Sequence, residues 1–187
     1  MSIKEVIVDY MEHRSDVDKW VAIKGEQKYL RFANMLSENK LPVTWCNVSV
    51  LYRYDKRLLI NIFKYMSFLE ELLRALVWNI SKIEYKELEK RYLKEVMDKV
   101  IKHKDKIALP GFSINVLEEN YKYINYLRNQ ISHNKIVLEC CMDNKGINDI
   151  LLLFKNTLPD EYKRGFAKDI NNCEKNLNIP DCLRIKI

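Results

Sequence analysis

The chain is short of the residues that break helices: its 187 residues include only four glycines and four prolines. That scarcity excludes collagen-like and linker-like chains and favours long helices. Histidine is scarcer still, at three, and the five cysteines (Cys46, Cys140, Cys141, Cys173 and Cys182) form no C-x-x-C pair. An odd count without that spacing argues against a zinc site or a disulfide framework and fits reduced thiols in a cytoplasmic protein. No metal and no cofactor is expected. No apolar run approaches the roughly 18 residues a membrane span needs, so no membrane partner is expected either. The first residues, Met1 to Glu5, lack the apolar core of a signal peptide. Internal repeats, glycine-rich phosphate loops and Ser/His/Asp constellations are also missing.

What is present describes a globular protein, with 48% hydrophobic and 31% charged residues. The length suits one well-buried core, so residues 1–187 read as a single domain. A net charge of +6 is compatible with an anionic partner without requiring one.

Along the chain, residues 3–13 and 16–38 read as two amphipathic helices. Ile3, Val6, Ile7 and Tyr10 form the apolar face of the first, and Trp20, Ile23, Phe32 and Leu36 that of the second. A break follows near Pro42, and residues 43–54 fit either a loop or an extended segment. From 55 to 81 the periodicity is clearest, with Leu59, Ile62, Phe63, Met66, Leu69, Leu73, Val77 and Ile80 on one stripe. Glu70 falls on that stripe, where a carboxylate is costly unless paired; Arg74, one turn on, and Arg128 are the candidate partners. Residues 84–106 read as a further helix through Leu88, Tyr92, Val96 and Val100, ending in a basic cluster that complements the helix dipole. Ser113 is placed to cap the helix that follows. After it, residues 136–142 fit helix or strand, Asp143 to Gly146 a turn, and 147–156 and 160–176 two more helices. The tail from Cys182 to Ile187 alternates like an edge strand.

The chemistry concentrates in Leu127-Arg128-Asn129-Gln130-Ile131-Ser132-His133, at the end of a strongly helical segment. An R-N-x-x-x-H string should arise by chance in roughly one such chain in a hundred. A guanidinium forks onto two phosphate oxygens, and an imidazole passes protons near neutral pH. The pair therefore suits metal-free cleavage of RNA, whose 2′-hydroxyl is its own nucleophile. Asn129, both donor and acceptor, can orient either group. Leu117, Tyr121, Ile124 and Ile131 share a stripe into which Arg128 falls, so Arg128 needs a buried partner or an interface. On an ideal helix His133 lies about 140° around from Arg128, so one site can use both only if the helix ends or bends near Ser132, or if a second copy contributes.

These residues, with the earlier Phe68-Leu69-Glu70-Glu71-Leu72-Leu73-Arg74-Ala75-Leu76, resemble the HEPN superfamily and within it the Abi-like phage-defence group. The likeness covers roughly residues 55–140. It implies an all-α antiparallel bundle, here with additional helices before (1–50) and after (147–177). It also implies a metal-independent endoribonuclease, acting as a homodimer with a composite site. In that reading Arg128 and His133 are catalytic, with Asn129 alongside them, and Glu70 and Arg74 are supporting. RNA is the implied partner, and the toxin type leaves room for a neutralising antitoxin. In this chain Tyr126, which could stack a base but at helical spacing also suits the core, and Lys135, Lys102 and Lys104 are the candidate further RNA contacts. Asn134-Lys135 departs from the family pattern, in which a second His and an Arg are common. A non-catalytic helical module that binds RNA or a protein is the alternative.

Overall fold

Helices form nearly all the regular structure of the computed structural model, which describes residues 2–82 and 85–187. The fold is all-α; among the described residues the exception is one hairpin of two-residue strands. The chain divides into two compact units, one formed by Met1–Arg57 with Cys173–Arg184 and the other by Leu58–Asn172 with Ile185–Ile187. The segments 55–140 and 147–177 fall mostly in the second unit, and 1–50 falls in the first.

The first unit opens with α1 (Ile3–Val6), started by a capping box in which Ser2 N–H donates to the Glu5 carboxylate at 2.9 Å. Ser2 Oγ and Ile3 N–H both donate to Glu26 Oε1, at 2.7 and 2.9 Å. The Ser2 hydrogen bond first, and the Ile3 amide second, hold the Glu26 carboxyl below its ordinary pKa. α2 (Tyr10–Lys24) and α3 (Glu26–Glu38) meet at Gly25, whose φ of 86° lies in the left-handed region that favours glycine. The expected pair of helices over 3–13 and 16–38 is thus three, broken where the chain turns at residues 7–9 and at Gly25, and the break expected after residue 13 is a kink at His13 (φ −112°, ψ 15°) within α2. α2 buries only Val17, and the predicted inward residues Trp20 and Ile23 are 38% and 58% exposed. Phe32 and Leu36 on α3 are buried as their spacing requires.

Residues 43–54, open between loop and strand in sequence, enter α4 (Trp45–Ser81), whose start is fixed by Trp45 N–H donating to Asp9 Oδ1 at 2.8 Å. In the second unit α4 buries Leu58, Ile62, Tyr65, Met66, Leu69, Leu73, Leu76 and Val77. The centre of the buried side is rotated from the expected stripe because Leu58, Tyr65 and Leu76 belong to it. Phe63 consequently faces out, 53% exposed, and Glu70 sits at the edge rather than the middle.

The helix expected over 84–106 is divided: α5 (Tyr85–Glu89) is followed by α6 (Leu93–Lys102), and Tyr92 is exposed as the N-cap of α6. The first residue of that expectation, at position 84, lies outside the described residues. The charged run at residues 89–91 offers nothing to bury, so the helix is interrupted there. α7 (Ile114–Ser132) begins at Ser113, whose side chain accepts from Val116 N–H. It packs against α6 and α8 (Ile147–Thr157). The 136–142 segment becomes a short 3-10 turn and then β1 (Cys141–Met142), paired antiparallel with β2 (Lys145–Gly146). α9 (Asp160–Asn171) completes the unit.

Tyr65, Phe166 and Phe154 pack edge to face, with ring centroids 5.1 and 5.2 Å apart. Tyr65 Oη and Lys64 Nζ both donate to Asp169 Oδ2 at 2.9 Å, and the Lys64 contact above all lowers the Asp169 pKa. The predicted tail strand is absent: Asp181–Leu183 is a 3-10 turn. Beyond it the Asn171 side chain satisfies both Ile187 N–H and Ile187 C=O, leaving the chain end no strand to pair with. Among the described residues no helix is long and apolar enough to cross a membrane, and none of the five cysteines is in a disulfide.

Candidate functional site

Glu70 and Arg128 occupy equivalent places on their helices. Each lies about 100° around from a fully buried leucine, Leu69 on α4 and Leu127 on α7. Leu127 continues a core line of Leu117, Asn120, Ile124 and Ile131, so Arg128 and Tyr121 flank the core instead of entering it, a correction to the expected stripe. Such flanking positions let two long polar side chains meet while their stems remain on apolar surface. Arg128 Nε donates to Glu70 Oε1 at 3.3 Å, and Arg74 Nη1 donates to Glu70 Oε2 at 3.0 Å. One carboxylate thus serves two guanidiniums. Arg74 Nε also donates to the Leu88 carbonyl at 3.4 Å, tying α5 to the network.

The exposures separate the two arginines. The Arg74 side chain is 15% exposed and Arg128 32%. Arg128 is held only through Nε, and among the described residues its Nη1 and Nη2 have no hydrogen-bond partner. The open end of the fork is therefore available to an oxyanion.

α7 ends at Ser132 in a Schellman motif: Asn134 N–H donates to Ile131 O at 3.0 Å and Lys135 N–H to Gln130 O at 3.0 Å. Asn134 takes the left-handed conformation, φ 52°, which Asn adopts more readily than most residues. His133 is the C-cap, exposed, its N–H donating to Asn129 O at 3.1 Å. The helix therefore ends where a shared use of Arg128 and His133 required. Among the described residues, however, the His133 ring makes no hydrogen bond, and the exposed Asn129 side chain contacts neither it nor Arg128 through one.

The remaining candidates are distributed. Tyr126 Oη accepts from Cys141 N–H at 3.2 Å and braces β1 against α7; burial raises its pKa. Lys104 is paired with Glu118 at 2.7 Å, which raises its pKa and occupies its charge. Lys102 is exposed and lines a separate cleft with Val77, Ile80 and His103. Lys135 is exposed in the turn after the helix. On the outer side of the ion network lies an open cleft of about 340 Å³ bounded by Ser67, Glu70, Glu71, Arg74 and Glu89. Sequence reading missed Glu71 and Glu89 as neighbours of Arg74; the charge run ending at Arg91 was the available signal. Tyr121 Oη is buried and, among the described residues, no group meets it in full hydrogen-bond geometry, although Asp98 lies nearby; burial first, and Asp98 second, push its pKa up to about 12. Among the described residues no cluster of three His, Cys, Asp or Glu side chains has the geometry to hold a metal ion.

No protein-family model, curated protein or solved structure matches this chain.

Proposed function

We propose that this chain is a metal-independent endoribonuclease of the toxin or phage-defence type, working in the cytoplasm as a homodimer. The observation that carries the reading is the guanidinium of Arg128, pinned at Nε by Glu70 with its forked end open, on the same helix end that exposes His133. Cleavage needs attack of an RNA 2′-hydroxyl on the adjacent phosphorus, with the bond to the 5′-oxygen breaking. A base takes the 2′ proton, an acid returns one to the leaving 5′-oxygen, and the products are a 2′,3′-cyclic phosphate and a 5′-hydroxyl. Arg128 stabilises the negative charge that accumulates on phosphorus, and His133 carries the proton. A single His133 serves one side of the phosphate, so the in-line reaction is completed by a second copy related by a two-fold axis. Ile60 and Phe63, both exposed, share a side of α4 with Glu70 and Arg74 and offer that copy an apolar contact.

The test is incubation of purified protein with mixed RNA in EDTA, followed by analysis of the new ends. Wild type should yield cyclic phosphates, and His133→Ala and Arg128→Ala should each lose about 10²-fold or more. Cleavage by both variants at the wild-type rate would remove the assignment. One observation favours the alternative of a non-catalytic module: Glu71 and Glu89 make the cleft beside Arg74 acidic, which suits a basic protein segment better than RNA. Absence of cleavage by wild type, together with binding of a Lys/Arg-rich peptide abolished by Glu71→Lys, would establish that reading instead.

A further inference from the structure

In the first unit, α2, α3 and the opening turns of α4 surround an open cleft of about 380 Å³. That volume falls within the range of small-molecule sites. Its wall is aromatic. Tyr29 and Trp45 are buried, with ring centroids 5.2 Å apart, and Tyr52 packs on Tyr29 at 5.1 Å. The rim adds Trp20, on a helix that buries only Val17, so Trp20 does not serve as a core anchor.

The rest of the rim is cationic. Lys24 and Arg53 line the cleft, and both are exposed. Lys24 has no hydrogen-bond or ion-pair partner among the described residues, whereas Arg53 Nε donates to the Ser49 carbonyl at 3.4 Å. Lys56 Nζ stands 5.8 Å from the Tyr52 ring centroid. Burial, and then repulsion from Lys28 and Lys24, lower the Lys56 pKa, while Asp55 acts against them. Among the described residues the lining includes no carboxylate. Cations gathered at one mouth repel one another until an anion enters, so the arrangement favours an anionic occupant. Aromatic faces beside that charge ask for a ligand with a planar ring and a phosphate.

We propose that this cleft binds a nucleoside phosphate, with its base against Trp20 and Tyr52 and its phosphate on Lys24 and Arg53. Aromatic side chains accept any base face, and lysine and arginine supply the charge-assisted contacts. The nucleotide is either free in solution or one unit of a single strand. The proposal does not depend on RNA cleavage at Arg128 and His133.

The experiment titrates the full-length protein with AMP, with ATP, with ribose 5-phosphate as the base-free control, and with a short 2′-O-methyl oligoribonucleotide, which resists 2′-hydroxyl attack. Tryptophan fluorescence and calorimetry are read together. Saturable binding is expected at or below about 1 mM for a mononucleotide, the oligomer or both. Binding of mononucleotides alone identifies a free nucleotide, and binding of the oligomer alone identifies a strand. Trp20→Ala and the double variant Lys24→Glu, Arg53→Glu should each weaken binding about tenfold or more, whereas Lys24→Arg should retain it. Those side chains are exposed, and circular dichroism should remain that of the wild type. The proposal is overturned if neither ligand class saturates, if both disruptive variants bind as wild type, or if ribose 5-phosphate binds as tightly as AMP.

Discussion

At the scale of single residues, Glu70 bears the greatest consequence. Its carboxylate, 17% exposed, meets two guanidiniums of different burial, and removing its charge leaves both without it. Arg74, the more buried, keeps among the described residues the Leu88 carbonyl as its hydrogen-bond partner. Glu70→Gln should therefore lower stability by about 2 kcal/mol, since breaking a partly buried pair strands a charge. Arg128→Ala should cost about 1 kcal/mol or less, because water already reaches that side chain. Urea unfolding midpoints measure both, and a Glu70→Gln midpoint equal to wild type would reduce the network to an ordinary surface pair. Glu70 was visible in the sequence because a carboxylate on an apolar stripe demands a partner. Its exact angular place was not, since Leu58, Tyr65 and Leu76 shift the centre of the buried face.

Among the helices, α9 shows how one missing side chain lets two elements close. A Cβ added at Gly165 would stand 2.9 Å from Tyr65 Oη, the group that donates to Asp169 one turn on. Glycine inside a helix costs about 0.5–1 kcal/mol relative to alanine, so its presence here trades intrinsic helix stability for this approach. Gly165→Ala should destabilise by about 1 kcal/mol despite the better helix former. Adding Tyr65→Phe, which removes the crowding oxygen, should make the same alanine neutral or stabilising by comparison with Tyr65→Phe alone. A thermal double-mutant cycle reads the sign change; equal effects of Gly165→Ala in both backgrounds would dismiss the steric account. The same scale explains what the sequence disclosed. The later part of α4 and the whole of α7 were legible because each repeats apolar residues over many turns, and α7 also carries its Ser113 cap. α2 was misread because Trp20 and Ile23 keep helical spacing without a surface to cover, and the 84–106 helix because charged residues interrupt it between two periodic halves. The αL turn at Asn134 set where α7 stops, and no periodicity announces a C-cap.

For the molecule as a whole, the proposed cleavage turns on stoichiometry. One chain offers one R-N-x-x-x-H motif, and His13 and His103 lie outside it. In-line transfer wants a proton acceptor on one side of phosphorus and a donor on the other, and two His133 rings across a two-fold axis supply them. Two open Arg128 forks would then face one phosphate, each still held by its own Glu70. A composite site makes a specific demand on mixtures: His133→Ala chains keep Arg128, Arg128→Ala chains keep His133, and only a mixed dimer holds one of each. Random re-pairing of equal amounts makes about half of all dimers mixed. The mixed dimer keeps a single His133, so RNA cleavage in EDTA by the mixture should exceed that of either variant alone but stay well below wild type, with light scattering reporting a dimer throughout. Phe63→Glu should lower both the dimer fraction and the wild-type activity, because it puts a charge into the apolar contact on α4. A fully active monomer would confine the chemistry to one chain and leave the single His133 to act on one side of the phosphate.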